Sequence, residues 1–154
     1  MPASPVPPGY HTLTPYLIVD GATRALAWYA TAFGARERMR LPMPGDKIGH
    51  AEIEIGDSCF MLADEHPAIG ARAPGAFGGS PISLHLYVPD VDATLARAVS
   101  AGATVKNPVE DKFYGDRTGS LVDPFGHVWH IATHIEDVTE EEIGRRMAAL
   151  SAQG

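Results

Sequence analysis

Three of the seven histidines in the chain lie close together in the stretch DPFGHVWHIATH, Asp123–His134. Imidazole binds divalent metal ions and titrates near neutral pH, so the stretch is either part of a metal site or a strand that carries histidines. DPFG is a turn signal, and the alternation after it predicts a strand. Alternating side chains would place His130 and His134 on one face and His127 on the other, which argues against a three-histidine ligand set.

A second stretch with reactive side chains is IGHAEIEI, Ile48–Ile55. Its alternation predicts a strand with Ile48, His50, Glu52 and Glu54 on one face. Glu52 could act as a general base if burial raised its pKa, and the alternative is a solvated strand face. His50 would line a pocket and hydrogen-bond a neighbour or a ligand, or it would bind a metal ion.

A third stretch, FYGDR at Phe113–Arg117, combines a glycine, a ring and a guanidinium. Gly115 marks a tight turn or a bulge, with Tyr114 and Arg117 on either side of it. The two side chains could stack on and anchor an anionic or aromatic ligand. The alternative is an exposed hairpin with a local contact between Asp116 and Arg117.

Composition narrows the class of protein. The chain has 12 basic and 19 acidic residues, a formal net charge of −7, so we expect it to bind neither nucleic acid nor an anionic membrane. Cys59 is the single cysteine, which precludes an intrachain disulfide and fits a reducing compartment. Because we find no signal peptide and no apolar run of ~18 residues, we expect a soluble cytoplasmic protein.

An internal repeat predicts the fold. PYLIVD leads into a helical pattern that ends at AFGA, and LYVPD leads into another that ends at SAGA, at an offset of roughly 69 residues. Each helix is followed by three runs typical of strands. The predicted strands after the helices are Glu37–Leu41, Ile48–Ile55, Cys59–Ala63, Thr104–Pro108, Thr118–Val122 and His127–His134.

The repeat predicts an α+β fold with two tandem βαβββ modules, residues 10–65 and 82–136. Residues 1–9 would form a flexible arm, and residues 66–81 a linker loop that could also serve as a lid. Residues 137–154 would add a terminal helix, started by a capping box of Thr139 and Glu142. We expect the apolar stripe of this helix to dock on the chain's own core or on a partner subunit. The stripe consists of Ile143, Met147 and Leu150.

The duplicated unit, with FGA closing the first helix and DPFGH before the last strand, resembles the vicinal oxygen chelate superfamily of glyoxalases, bleomycin resistance proteins and extradiol dioxygenases. The stretches GYHTLTPYLIVDGA, GHAEIEIGDS and GGSPISLHLYVPDVDA are closest to its PhnB-like subgroup, and the resemblance runs from Tyr10 to Asp137. It implies two modules whose curved sheets form a cup, commonly completed in a homodimer, with a divalent metal held by His, Gln or Glu.

The resemblance also implies where the metal ligands would lie, on the first and fourth strands of each module. Those positions are Thr14, Met61, Ser83 and His130. Only His130 is a good ligand for Zn²⁺, Ni²⁺ or Fe²⁺, so the inherited metal site is predicted to be lost. A shifted site is the alternative, since His85 shares a sheet face with Ser83 and could join His130 and either His50 or Glu52.

Three hypotheses follow for the function. The first is a homodimeric protein that binds an apolar or aromatic small molecule in the cup without a metal or other cofactor. The second is a metal-dependent lyase, isomerase or dioxygenase that uses His85 and His130, with Glu52 as a third ligand. The third is metal-free acid–base catalysis, with Glu52 and His130 as candidates. The predicted ligand-binding residues are His50, Ser83, His85, Tyr114, Arg117 and His130.

Overall fold

The chain folds into two units of the same architecture, each a four-stranded sheet with one helix after its first strand. The structure is a computed structural model that describes residues 2–154. The first unit runs to Pro81 and includes Pro124–His127; the second comprises Ile82–Asp123 and Val128–Gly154. The predicted α+β fold with two βαβββ modules is confirmed.

The first unit contains β1 (Tyr16–Val19), α1 (Ala22–Phe33), β2 (Arg36–Met43), β3 (Lys47–Ile55) and β4 (Ser58–Asp64). The strand order is β1-β4-β3-β2, with β1 parallel to β4 and the other pairs antiparallel. The loop that follows, predicted as a linker, contains two short 3₁₀ helices, at Pro67–Ile69 and Pro74–Phe77.

The second unit contains β5 (Ser83–Tyr87), α2 (Val91–Ser100), β6 (Thr104–Asp111), β7 (Asp116–Val122) and β8 (Val128–His134), followed by α3 (Glu140–Gln153). Its strand order, β5-β8-β7-β6, repeats that of the first unit. No helix in the described part of the chain has the length and apolar character needed to cross a lipid bilayer.

The helix α1 covers one face of the first sheet with an aromatic core. Tyr29 is fully buried and packs edge-on against Phe60 of β4, with ring centroids 5.7 Å apart. Ile53 and Leu62 are buried on the same side, and burial of each such side chain stabilises the fold by about 1.5–3 kcal/mol. Gly34 ends α1 with a φ of 69°, the left-handed conformation predicted for it.

The start of α1 is held by a residue from a different element. Gly21 has no side chain to cap the helix, and the carboxylate of Asp64 accepts hydrogen bonds from the backbone N–H groups of Gly21 and Ala22, both at 2.9 Å. The second oxygen of Asp64 accepts from the N–H of Ile48 at 2.8 Å. One carboxylate at the end of β4 therefore satisfies the helix N-terminus and the start of β3 together.

The alternation predicted for β3 fails at Ile48. Leu41 pairs with His50 and Pro42 with Ile48, so the ladder between β2 and β3 skips Gly49. Such a bulge shifts the side-chain alternation by one residue. Ile48 is therefore buried, at 3% exposure, and does not share the face of His50 and Glu52.

The helix α2 covers one face of the second sheet. Leu121, Trp129 and Ile131 are buried there, and the indole N–H of Trp129 donates to Asp123 at 2.9 Å. Asp90 caps α2 as predicted, accepting from the N–H of Ala93 at 3.1 Å.

The terminal helix α3 begins as the sequence predicts and does not bury its stripe. The hydroxyl of Thr139 accepts from the N–H of Glu142 at 3.2 Å, so the predicted cap is present. No residue of α3 is buried, and Met147 and Leu150 are 58% and 51% exposed. Docking of the stripe on the chain's own core is therefore wrong, and docking on a partner stays a prediction.

Candidate functional site

The first sheet has an open face, on the side opposite α1, that combines apolar and polar side chains. Tyr16 of β1 is 48% exposed, and Met39 and Leu41 of β2 are 37% and 53% exposed. The backbone register places Tyr16 beside Met61, and Leu41 beside His50. Thioether side chains adapt their shape to a ligand, so this face is suited to apolar contact.

A chain of hydrogen bonds crosses the open face of the first sheet. The phenol of Tyr10 donates to Oε1 of Glu52 at 2.5 Å, and Oε2 of Glu52 lies 3.0 Å from Nε2 of His50. Nδ1 of His50 lies 2.8 Å from the phenol oxygen of Tyr16. Because an ionised carboxylate can only accept, Nε2 of His50 carries the hydrogen and Nδ1 accepts from Tyr16.

The protonation states of this chain follow from its contacts. Hydrogen bonds from Tyr10 and His50 lower the pKa of Glu52, so Glu52 is ionised at neutral pH. Burial and the charge of Glu52 raise the pKa of Tyr16, and the same two causes with the Glu52 hydrogen bond raise the pKa of Tyr10. Both phenols therefore stay protonated. The order hydroxyl, imidazole, carboxylate allows a proton to pass from Tyr16 to His50 when a ligand donates to Tyr16.

The open face of the second sheet carries a pair of histidines. His85 of β5 is the register partner of His130 of β8, and their rings stack with centroids 5.9 Å apart and an interplanar angle of 16°. Burial, the charge of His85 and the charge of Lys106 lower the pKa of His130. His130 is therefore neutral at neutral pH and can accept or donate a hydrogen bond.

Beside the histidine pair lies a buried carboxylate with two partners. Asp116 is 4% exposed, and it accepts from the phenol of Tyr87 at 2.7 Å and from Nδ1 of His134 at 2.8 Å. Burial acts to raise the pKa of Asp116, but the hydrogen bonds from His134 and Tyr87 outweigh it, and the pKa is lowered. Hydrogen bonds to Asp116 and Asp137 raise the pKa of His134.

We expect His134 to make the stability of the protein depend on pH. Its pKa is raised above 6.5 in the fold, so its stabilising contribution is full below that value and is lost as the pH rises through the raised pKa. Asp116 acts in the opposite sense, since its lowered pKa gives a contribution present above 3.8 and lost on further acidification. Urea unfolding between pH 5.5 and 9 should show a decline that is flattened in His134→Gln.

The control for this prediction is His11→Gln, because His11 is exposed and lies outside the helices and strands, before β1. This variant should keep the decline of the parent protein. An unchanged decline in His134→Gln would contradict the role of His134.

The four positions that the family resemblance gives as metal ligands do not fit a divalent metal. In the first unit they are Thr14 and Met61, a hydroxyl and a thioether; in the second they are Ser83 and His130. Ser83 pairs with Val128, so the neighbour of His130 on β5 is His85. Within residues 2–154, no three His, Cys, Asp or Glu side chains form a group that could hold a metal ion.

The shifted metal site drew its third ligand from Glu52 or His50, and the structure gives both side chains other partners. Glu52 accepts from Tyr10 and lies against His50. Glu54, predicted on the same face, pairs with Arg36 and lies 3.9 Å from Arg38.

The FYGDR stretch forms the predicted tight turn, closed by a bond from the N–H of Gly115 to Lys112, and Arg117 lies on the sheet face opposite the histidine pair. Arg117 donates to Asp92 of α2 at 2.8 Å and to Asp111 at 2.9 Å, on the side of the sheet that α2 covers. The alternative, a local contact between Asp116 and Arg117, does not form, because Asp116 accepts from Tyr87 and His134 and Arg117 donates to Asp92 and Asp111. Tyr114 is 36% exposed and meets Phe113 edge-on.

Sequence reasoning missed the tyrosines of both open faces, Tyr10, Tyr16 and Tyr87. The internal repeat contained a signal for Tyr16, since the offset of about 69 residues maps Tyr16 onto His85 and Met61 onto His130. The structure gives the two pairs the same parallel register, Tyr16 with Met61 and His85 with His130. No comparable signal marked Tyr10, whose partner lies 42 residues away.

Comparison with known proteins finds a matching family profile and several relatives of the chain. The profile of the Glyoxalase/Bleomycin resistance protein/Dioxygenase superfamily matches residues 10–131. The uncharacterized protein Rv0887c of Mycobacterium tuberculosis is 43% identical over 145 residues, which cover 92% of this chain and 84% of the relative. The uncharacterized protein At5g48480 of Arabidopsis thaliana is 28% identical over 124 residues, 76% of this chain and 74% of the relative.

Solved structures show the same architecture. TioX from Micromonospora sp. ML1 superposes with a TM-score of 0.63 at 28% identity, covering 81% of this chain and 99% of TioX. PA1353 from Pseudomonas aeruginosa gives a TM-score of 0.65 at 27% identity, covering 82% of this chain and 99% of PA1353. The PhnB protein from Bacillus cereus shares the fold, with a TM-score of 0.62 at 16% identity. The match covers 80% of this chain and 99% of the PhnB protein.

Proposed function

Because the chain belongs to the Glyoxalase/Bleomycin resistance protein/Dioxygenase superfamily and carries Thr14, Met61 and Ser83 at three of the four ligand positions that the resemblance gives, we propose that it binds an apolar or aromatic small molecule without a metal ion. One observation carries the proposal. On the sheet face opposite α1, Tyr16 is exposed on the edge strand β1, and Met39 and Leu41 are exposed on the other edge strand, β2. Exposed apolar side chains grouped on one surface typically mark an interaction site.

In each unit taken by itself, the polar groups of the open face would orient a ligand bound there. In the first unit, Tyr16 presents a protonated phenol held by His50, and in the second, His85 and His130 present imidazole nitrogens. Sites for small molecules typically combine an apolar lining with few, fixed polar groups. Ser83 and His50 join these contacts in the proposal, whereas Arg117 is left out because Asp92 and Asp111 already bind its guanidinium.

We expect the protein to bind the neutral aromatic dye N-phenyl-1-naphthylamine, with a rise in dye fluorescence that saturates. Because the proposal needs no metal, the Kd should not change after dialysis against EDTA. Met39→Ser removes apolar contact on the open face and should raise the Kd about five- to tenfold, as expected for the loss of one or two buried methylene-sized groups. Fluorescence titration measures each Kd.

Val99→Ser is the control, because it places the same polar side chain at an exposed apolar position of α2, away from the open face of the first sheet. It should bind the dye as the parent does. Loss of dye binding in EDTA, restored by Zn²⁺ or Mn²⁺, would favour the metal-dependent alternative that uses His85 and His130. Failure to bind this dye and any neutral aromatic analogue at millimolar concentration would refute the proposal.

A second candidate function is acid–base catalysis without a metal, favoured by the chain Tyr16–His50–Glu52. In it, Tyr16 would take a proton from the bound molecule as its own passes to Nδ1 of His50, and Glu52 would stabilise the imidazolium. The raised pKa of Tyr16 requires the two transfers to occur together, since a free phenolate is disfavoured.

We also propose that the protein acts as a cytoplasmic homodimer. The exposed stripe of α3, with Met147 and Leu150, supports a partner contact, and the free thiol of Cys59 suits a reducing compartment.

A further inference from the structure

Two cavities of the first unit share Tyr16 and Ile18 of β1 in their lining, and they differ in charge. One, of about 230 Å³, is bounded by the loop between β4 and β5 and contains Arg72. The other, of about 220 Å³, contains Lys47 together with the acidic residues Asp64 and Glu65. The cavity of Lys47 therefore contains carboxylates that can balance its positive charge, and the cavity of Arg72 contains none.

The guanidinium of Arg72 has no partner within residues 2–154, in either a hydrogen bond or an ion pair. The nearest acid along the chain that could pair with it is Glu65, whose Oε2 instead accepts from the backbone N–H of Ala73 at 3.0 Å. Among the described residues that line the cavity of Arg72, none is Asp or Glu. In a chain where acids outnumber bases by 19 to 12, an unpaired arginine beside an acid-free cavity is a candidate for an anion from outside the chain.

Two exposed aromatic residues are part of the lining of the same cavity. Phe77 is 71% exposed and Tyr16 is 48% exposed, and both rings border the cavity. The volume is below the roughly 300 Å³ at which sites for drug-sized molecules begin, so the cavity suits one or two fused rings. A guanidinium binds a carboxylate through two parallel hydrogen bonds, which a hydroxyl cannot reproduce.

The loop holds Arg72 between two anchored residues. Ala71 exchanges backbone hydrogen bonds with His66, at 2.8 and 3.2 Å, and Ala73 is held by Glu65. After Arg72 the chain enters the 3₁₀ helix at Pro74–Phe77, which is closed by a bond from the N–H of Gly79 to Pro74 at 3.0 Å. A backbone fixed on both sides reduces the entropy lost on binding.

We propose that this cavity recognises a small aromatic carboxylate, whose acid group binds Arg72 and whose ring lies against Phe77 and Tyr16. This proposal rests on the proposed function and adds to it the charge of the ligand. Residues 66–81, predicted as a linker that could serve as a lid, then provide the specificity of the site. The phenol of Tyr16 links the cavity to the His50–Glu52 pair, so the carboxylate lies at one end of the hydrogen-bonded chain.

The test compares 1-naphthoate with 1-naphthalenemethanol, which share a ring system and differ in charge. Isothermal titration calorimetry of the full chain should give a Kd about tenfold lower for naphthoate. Arg72→Gln should remove this preference and leave binding of naphthalenemethanol unchanged. Arg72→Lys keeps the charge without the planar fork and should retain part of the preference.

Arg145→Gln is the matched control, since it removes the same charge from an exposed arginine on α3. It should keep the full preference for naphthoate. Equal affinity of the parent protein for the two molecules, or a preference that survives in Arg72→Gln, would overturn the assignment of an anion to Arg72 and leave the proposed function standing. Failure of both molecules to bind would overturn the inference and count against the proposed function as well.

Discussion

Asp64→Ala is expected to lower the free energy of unfolding by about 3–5 kcal/mol, because it leaves three backbone N–H groups without their acceptor. Two of these groups begin α1 and the third begins β3. Asp64 is only 9% exposed, so water does not replace it fully. The substitution also removes a negative charge beside the α1 N-terminus. Urea unfolding followed by circular dichroism at 222 nm measures the change.

Two further variants define what the Asp64 carboxylate contributes. Asp64→Asn keeps the size of the side chain and one acceptor oxygen, so it should lose about half as much stability. Asp57→Ala removes an exposed aspartate from the turn before β4, where its carboxylate meets Ser58, and should change stability by less than about 0.5 kcal/mol. A loss below about 1 kcal/mol in Asp64→Ala would show that the three N–H groups find other acceptors.

Gly115→Ala should destabilise the protein by about 3 kcal/mol or more, because strain and steric overlap act together. Gly115 has a φ of +105°, which side chains rarely adopt, and a Cβ there would overlap the carbonyl oxygen of Glu136. That backbone cannot simply move away, because the N–H groups of Ile135 and Glu136 donate to the carbonyl of Gly115 at 2.9 and 3.1 Å. Thermal unfolding of the variant measures the loss.

Gly56→Ala separates backbone strain from steric overlap. Gly56 has a φ of +59°, within the left-handed region, and in the described part of the chain no atom beyond its neighbours lies within 4 Å of the place that a methyl group would take. Its substitution should cost only about 1–2 kcal/mol. If Gly115→Ala cost no more than Gly56→Ala, the close approach of Glu136 would not constrain the turn.

Features determined by a few neighbouring residues were predictable from the sequence. The glycine that ends α1, the aspartate that caps α2 and the threonine that caps α3 each act within one helical turn. The repeated architecture followed from the duplication, because each half contains the same succession of patterns. These predictions needed no knowledge of how distant segments meet.

Features that depend on distant pairing were not predictable. The bulge that buries Ile48 arises in the ladder between β2 and β3, and nothing in GHAEIEI reveals which residue the partner strand will skip. The sequence likewise cannot show that Asp64 accepts from residues 42 and 43 positions away. Local alternation therefore located the strand correctly and assigned one of its side chains to the wrong face.

The candidate site was only partly predictable, because some of its residues follow from local alternation and others depend on distant contacts. His50, Glu52, His85 and His130 were identified as candidates because alternation places them on a sheet face, and the structure shows that they do lie on open faces. Arg72 was passed over because its significance lies in the absence of an acid around it. Arg117 was expected to be available, and its pairing with Asp92 of α2 depends on how the helix packs.

The matching register of Tyr16 with Met61 and of His85 with His130 bears on how a duplicated protein diverges. In each half, the residues that maintain the backbone are those beneath the helix, so the opposite face can change its chemistry while the architecture is inherited intact. One copy now carries phenol and thioether where the other carries two imidazoles. For protein engineering, these are exchangeable positions: a histidine pair has a defined place in the first half, on a backbone that already supports one in the second.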